Sequence, residues 1–345
     1  MQKKIFSIIG ARPQFIKAAA VSRVLRTRYN EILVHTGQHF DKNMSEIFFK
    51  ELEIPAPDYN LGISGSTHGR MTAQMMEKIE ELLLKIQPDL VLLYGDTNST
   101  LAGALTASKL HIPIAHVEAG PRTYDKRQPE EVNRVITDHL SSINFCPTLQ
   151  SVKNLKTENI INNVFHVGDV IYDSSLFAFN KAQTSSHILK KLGLSNKEYI
   201  LATIHRAEHT NDPKVLSDIV TYLRSQPKVV VWPIHPRTKQ AVTKWNISLE
   251  GLVICEPIGY IDFTWLTANA AYIITDSGGL PKEAYFHRVP CITIGDYTPW
   301  PETIKAGWNR LWTQDDWKNP RQDIRDYGSG KASHLILQHI INFFK

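Results

Sequence analysis

The chain reads as an α/β protein made of two doubly wound, parallel-sheet domains with a cleft between them, and three observations predict this. Its 345 residues exceed a usual single core, and a prior of about 150 residues per domain predicts two. Short apolar runs alternate with helix-forming segments through both halves, with short connections, which is the pattern of parallel strands joined by crossover helices. The ends of those runs carry glycine and titratable residues, as the carboxyl edge of a parallel sheet does where it binds ligands.

Lys4–Gly10 is the first strand, and Ala11-Arg12-Pro13 turns it into a helix with Pro13 near the first helical position. Arg12 and Lys17 flank that helix N-terminus, where free N–H groups and two cations suit a phosphate or carboxylate. The turn lacks the Gly-x-Gly-x-x-Gly fingerprint of a dinucleotide site. Glu31–Thr36 is the second strand, and Gly37-Gln38-His39 puts His39 at its carboxyl end. Gly62–Gly69 is rich in glycine and serine and reads as a mobile loop. Leu90–Tyr94 is a buried strand, and Gly95-Asp96-Thr97 turns it into a helix with Leu101, Leu105 and Ser108 at helical spacing. Ile112–Val117 then brings Glu118 to the same edge, and a loop opened by Ala119-Gly120 leads to a helix starting at Pro129-Glu130-Glu131. Ile143–Cys146, a helix over Ser151–Glu158, and Val164–Val167 complete the first half.

The second half restarts the alternation. Tyr199–Ile204 ends in His205-Arg206-Ala207-Glu208, Lys228–Pro233 ends in His235-Pro236-Arg237, and Leu252–Cys255 and Ala271–Thr275 follow. Asp276-Ser277-Gly278-Gly279 comes next and leads into a helix over Leu280–Phe286, so a ligand can approach the backbone N–H groups there. Glu283, one turn inside, is placed to accept from a ribose diol. Pro290–Ile294 is expected to be the last strand. The final helix, Ala332–Phe344, is apolar on a broad face and is expected to pack back on the first domain. The domains are therefore read as 1–167 with 332–345, and 168–331.

Hydrophobic residues make up 42% and charged residues 21%, which suits a folded globular chain rather than a disordered one. No apolar run approaches the roughly 20 residues of a membrane span, and Met1-Gln2-Lys3-Lys4 leads straight into a strand, so a cytoplasmic protein is expected. Cys146, Cys255 and Cys291 are isolated, which supports neither a disulfide framework nor a zinc site. The net charge of +5 is scattered rather than striped, which argues against nucleic acid, and a few arginines facing a small anionic molecule would fit the same balance.

The candidate chemistry lies in Asp96, Glu118 and the Glu130/Glu131 pair. Any one of these could cap a helix or make an ion pair. Three sites at one strand edge are expected to raise one another's pKa and so to hold or take a proton near neutrality. His205 and His235, both at strand ends, are read as ligand contacts.

Together these segments resemble the non-hydrolysing UDP-N-acetylglucosamine 2-epimerases and their relatives acting on other UDP-2-acetamido sugars. The resemblance rests on Gly10-Ala11-Arg12-Pro13 with Lys17, Thr36-Gly37-Gln38-His39, Gly95-Asp96-Thr97, His116-Val117-Glu118-Ala119-Gly120, Pro129-Glu130-Glu131 with Asn133-Arg134, His205-Arg206, His235-Pro236, and Thr275-Asp276-Ser277-Gly278-Gly279 with Glu283. It implies two Rossmann-like domains in the glycosyltransferase-B arrangement, a homodimer, and UDP bound between the domains. With metal and dinucleotide motifs missing, no metal or cofactor is expected. It implies catalytic roles for Asp96, Glu118, Glu130 and His205. It implies ligand contacts for Arg12, Lys17, Arg134, His235, Ser277, Gly278, Gly279, Glu283 and Arg310. The implied reaction removes H2 while the C1–O bond to UDP breaks, giving a glycal, and then reverses from the other face of C2.

Two positions depart from the family pattern. An arginine pair becomes Arg206-Ala207, removing a cation on which a second, activating nucleotide-sugar site depends, and Thr-Glu-Arg-Pro-Glu becomes Thr298-Pro299-Trp300-Pro301-Glu302. The stretch from His39 to Leu61 looks closer to epimerases of modified sugars such as UDP-2,3-diacetamido-2,3-dideoxyglucuronate. A glycosyltransferase of the same architecture would need an acceptor site and at most one base. A non-catalytic nucleotide-sugar sensor would tolerate loss of the carboxylates, and all are present.

Overall fold

The structure, a computed structural model, describes residues 2–38 and 48–345, so the expected His39 position lies outside the described residues. The chain divides into two compact units, Met1–Ser174 with Arg325–Lys345, and Ser175–Ile324.

The first unit holds β1 (Lys4–Ile9), β2 (Asn30–His35), β3 (Tyr59–Asn60), β4 (Leu90–Tyr94), β5 (Ile114–Val117), β6 (Ile143–Cys146) and β7 (Val164–His166) in the order β3-β2-β1-β4-β5-β6-β7. Every pairing is parallel. Helices cover both faces of such a sheet, which is why all five residues of β4 are buried and apolar rather than alternating. The helix His68–Ile86 lays Met71, Met75, Ile79 and Leu83, one stripe at four-residue spacing, on a core that includes Phe6, Ile8, Val34, Val91 and Leu93. That helix begins inside the segment expected to be a loop: the glycines and serines end at Gly69, and the apolar stripe starts at Met71. The last helix, Ala332–Phe343, belongs to this unit. The Asp173 carboxylate accepts from the Ala332 and Ser333 N–H groups at 3.1 and 2.9 Å, His339 stacks on Phe165 at 3.8 Å, and Phe344 meets the edge of Tyr29.

The second unit holds β8 (Tyr199–Thr203), β9 (Val229–Pro233), β10 (Val253–Cys255), β11 (Tyr272–Thr275), β12 (Cys291–Thr293) and β13 (Asn309–Leu311), all parallel, in the order β10-β9-β8-β11-β12-β13. Alternate residues of its strands feed two cores: Ile200, Ala202, Val230 and Trp232 on one face, and Tyr199, Leu201 and Val231 on the other. Pro290–Ile294 is therefore not the last strand. β13 follows it at the sheet edge, and it hides from an apolar-run search because Asn309 is buried by hydrogen bonding with Thr293 at 3.0 Å rather than by hydrophobicity.

In both units the strand order reverses beside the first strand, between β1 and β4 and between β8 and β11. Loops leaving two such neighbours diverge, and ligands of open α/β sheets bind at that point. Among the described residues no helix is long and apolar enough to cross a membrane, and the three cysteines are free.

Candidate active site

In the first unit the turns after β1, β4 and β5 are tied together by side chains. The Gln14 carbonyl accepts from the Gly10 and Ala11 N–H groups, and its amide donates to the Tyr94 carbonyl at 2.8 Å and to the Thr100 hydroxyl at 3.0 Å. Lys17, 5% exposed, reaches across to the Glu118 carboxylate at 2.5 Å. Gly95, with φ +62°, leaves room for that bridge, because a Cβ there would lie 2.9 Å from the Lys17 ammonium. Glu118 itself has φ +72°, a left-handed conformation that costs a side-chain-bearing residue on the order of 1 kcal/mol and that clusters at functional sites. The neighbouring strand β6 holds this turn, since the Glu118 and Ala119 N–H groups both donate to the Phe145 carbonyl.

Asp96 pairs with Arg134, whose other nitrogen donates to Glu131 at 3.2 Å. Asn133 donates to the Asp96 carbonyl at 2.9 Å, so the helix Pro129–Leu140 supplies both contacts that hold this aspartate. Glu130 and Glu131, adjacent in sequence, part company. Glu130 is exposed on the helix's first turn, while Glu131 is buried and accepts from the Thr123 and Tyr124 N–H groups, both at 2.9 Å. Burial pushes the Glu131 carboxyl up, but those N–H groups, the Thr123 hydroxyl and Arg134 outweigh it and hold it below the usual range. Glu131 thus fixes the 123–124 loop, contrary to the expectation that it joins a mutually repelling cluster. Asp96 and Glu118 likewise meet cations here. Arg12 is exposed and lies over the Phe48 ring at 4.5 Å.

In the second unit one buried carboxylate organises the turns. Asp276, 1% exposed, accepts from the His205 and Arg206 N–H groups at 2.9 and 2.8 Å and from His209 Nδ1 at 3.0 Å, with His205 Nδ1 at 3.3 Å. Burial raises its pKa, but the His209 bond, the His205 charge and the two N–H groups more than offset this and leave it lowered. The His205 and His235 rings lie 5.7 Å apart, and His235 Nδ1 accepts from the Arg237 N–H, so its donor is the other nitrogen. Glu283 takes a hydrogen bond from the buried Tyr260 hydroxyl at 3.0 Å. Ser277, Gly278 and Gly279 are part-exposed, and the Trp300 indole donates to the Gly278 carbonyl at 2.6 Å while covering the Lys282 ammonium at 3.6 Å. Arg310 lies apart from this turn on edge strand β13, donating to the Leu311 and Gln314 carbonyls and lying over Trp317.

The structure therefore gathers Lys17, Asp96, Glu118 and Arg134 in one unit, and His205, His235, Ser277–Gly279 and Glu283 in the other. Sequence reasoning overlooked Asp276 as an organiser, and also His209, Gln14 and Tyr260. An aspartate directly after an apolar strand, beside two glycines, was the available signal for the first. Among the described residues no three His, Cys, Asp or Glu side chains cluster as metal ligands would.

A family model described as UDP-N-acetylglucosamine 2-epimerase matches residues 23–341. A UDP-N-acetylglucosamine 2-epimerase homolog of Methanococcus maripaludis is 47% identical, over 98% of this chain and 99% of the relative. The UDP-2,3-diacetamido-2,3-dideoxy-D-glucuronate 2-epimerase of Pseudomonas aeruginosa is also 47% identical, again over 98% and 99%. The crystal structure of the Methanocaldococcus jannaschii UDP-GlcNAc 2-epimerase with UDP-GlcNAc and UDP superposes with a TM-score of 0.87 at 38% identity, over 99% of each chain. With the sheet order, the strand-end carboxylates and these likenesses in agreement, the chain belongs to the UDP-N-acetylglucosamine 2-epimerase family.

Proposed function

We propose that the protein inverts C2 of a UDP-2-acetamido sugar by eliminating UDP and adding it back. The observation that carries this reading is the pair of carboxylates, Asp96 and Glu118, delivered to neighbouring strand ends and each held by a cation. H2 of such a sugar is a weak acid, so its removal must be coupled to departure of the diphosphate. The electrons of the C2–H bond become the C1=C2 double bond of a glycal, those of the C1–O bond leave with UDP, and the proton passes to a carboxylate. Return of a proton to the opposite face of C2, with UDP re-adding at C1, gives the epimer. Two faces need two proton carriers, drawn from Asp96, Glu118 and Glu130, while Lys17 and Arg134 fix carboxylate direction.

In the second unit, His205, His235, Ser277 and the Gly278-Gly279 backbone offer donors to a diphosphate, and Glu283 offers acceptors to a ribose. Arg12 and Arg310 are proposed as further ligand contacts. UDP-N-acetylglucosamine is the first substrate, and UDP-2,3-diacetamido-2,3-dideoxyglucuronate is the second, favoured by the likeness to the Pseudomonas enzyme. The purified protein should convert one of the two to its C2 epimer, seen as a change in the H1–H2 proton coupling. Conversion of neither would overturn the reading.

A further inference from the structure

His116 lies on β5 two residues before Glu118 and is fully buried, as is Asp138. Its Nε2 is 2.7 Å from the Gly95 carbonyl and its Nδ1 is 2.7 Å from Asp138 Oδ1. A carbonyl can only accept, so Nε2 donates to it. Asp138 uses its second oxygen for the Gly120 N–H at 3.1 Å and the Arg122 guanidinium at 2.7 Å, and Arg122 is in turn held at two points by Glu158. Each end of this buried chain therefore terminates on a turn that bears a proposed catalytic carboxylate. Gly95 immediately precedes Asp96, and Gly120 follows Glu118 by two residues.

We infer that His116 is a positioning residue which, with Asp138, sets the placement of Asp96 and Glu118 relative to each other. Asp96's peptide is clamped on both sides, by His116 on the Gly95 carbonyl and by Asn133 on its own carbonyl. Without the first clamp the Gly95 carbonyl is buried without its side-chain donor, and the turn is free to rotate. A displacement of about 1 Å at a reacting group is enough to lose about a hundredfold in rate.

This inference rests on the proposed epimerase reading, and two matched variants test it. In His116→Gln the amide nitrogen can stand where Nε2 stood and keep the bond to Gly95, losing the one to Asp138. In His116→Asn it can stand where Nδ1 stood and keep Asp138, losing Gly95. Each breaks one buried hydrogen bond, so their melting temperatures should fall comparably. His116→Asn should lose kcat by about a hundredfold with KM within about threefold, while His116→Gln keeps most of its kcat. Amide exchange at Gly95, whose N–H is bonded to Val117 at 2.9 Å, should quicken in His116→Asn alone. Equal kcat losses in the two variants, or equal exchange at Gly95, would overturn the inference. Wild-type turnover tests the epimerase reading separately, and the exchange comparison holds whether or not a substrate has been found.

Discussion

The two units share a strand order and a reversal point, but they equip the turns at that point with opposite chemistry. After β4 and β5 the first unit offers carboxylates, each bridged to a cation: Asp96 to Arg134, and Glu118 to Lys17. After β8, β9 and β11 the second unit sinks its carboxylate, Asp276, into the backbone of the turn and leaves the His205 and His235 imidazoles, a hydroxyl and two glycines toward the surface. A buried acid that accepts four donors organises a loop, whereas acids bridged to cations at a strand edge stay where they can meet a proton. The same scaffold can thus supply proton chemistry in one unit and anion binding in the other.

Variants of the two units should separate turnover from binding. Asp96→Asn and Glu118→Gln should each lower kcat by at least about a hundredfold, the usual scale for a general acid or base. Their UDP affinity should stay within about threefold of wild type. Glu283→Gln should weaken UDP binding by about ten- to a hundredfold, the scale of losing a hydrogen bond to a charged group. All seven tryptophans, from Trp232 to Trp317, lie in the second unit, so their fluorescence reads UDP binding there. Loss of UDP binding in the first pair, equal to that in Glu283→Gln, would erase the division.

A smaller effect sharpens the contrast in stability. His287 donates to or accepts from the Ser175 hydroxyl at 2.7 Å beside the Phe179 ring. Burial first, and then the charge of Lys197, pushes its pKa from 6.5 down to about 4. The unfolded imidazole binds a proton as pH falls through 6.5, while the folded one does not until about 4. The His287 contribution to stability is therefore fully present above pH 6.5 and is lost as pH falls toward 4, by at most about 3 kcal/mol, less for the ring's remaining contact with water. Urea unfolding followed by tryptophan fluorescence should show that slope in wild type and a flatter one in His287→Gln. Parallel slopes would mean another group titrates.

What could be read in advance follows the physics of burial. β4 and β6, and the helix Leu280–Phe286, were legible to the residue because strands covered on both faces are unbroken apolar runs and because two glycines mark a helix start. β3 has two residues and β13 three, too short for any periodicity, and their places depend on partners far along the chain. Asp96 and Glu118 were legible as acids at strand ends, but the cations that hold them come from 38 and 101 residues away. The separate fates of Glu130 and Glu131 depend on which side of one helix faces the 123–124 loop, a rotation that two identical neighbouring residues do not reveal. His116 left one trace, a histidine inside the apolar strand Ile114–Val117, and a polar side chain there needs partners.

The central claim is that C2 loses and regains a proton while UDP departs and returns, and a proton spectrum of the reaction run in deuterated water tests it directly. Each turnover to the epimer should place solvent deuterium at C2, so that the H2 signal fades as the epimer forms while the rest of the sugar keeps its protons. An epimer that forms with its H2 signal intact would contradict it.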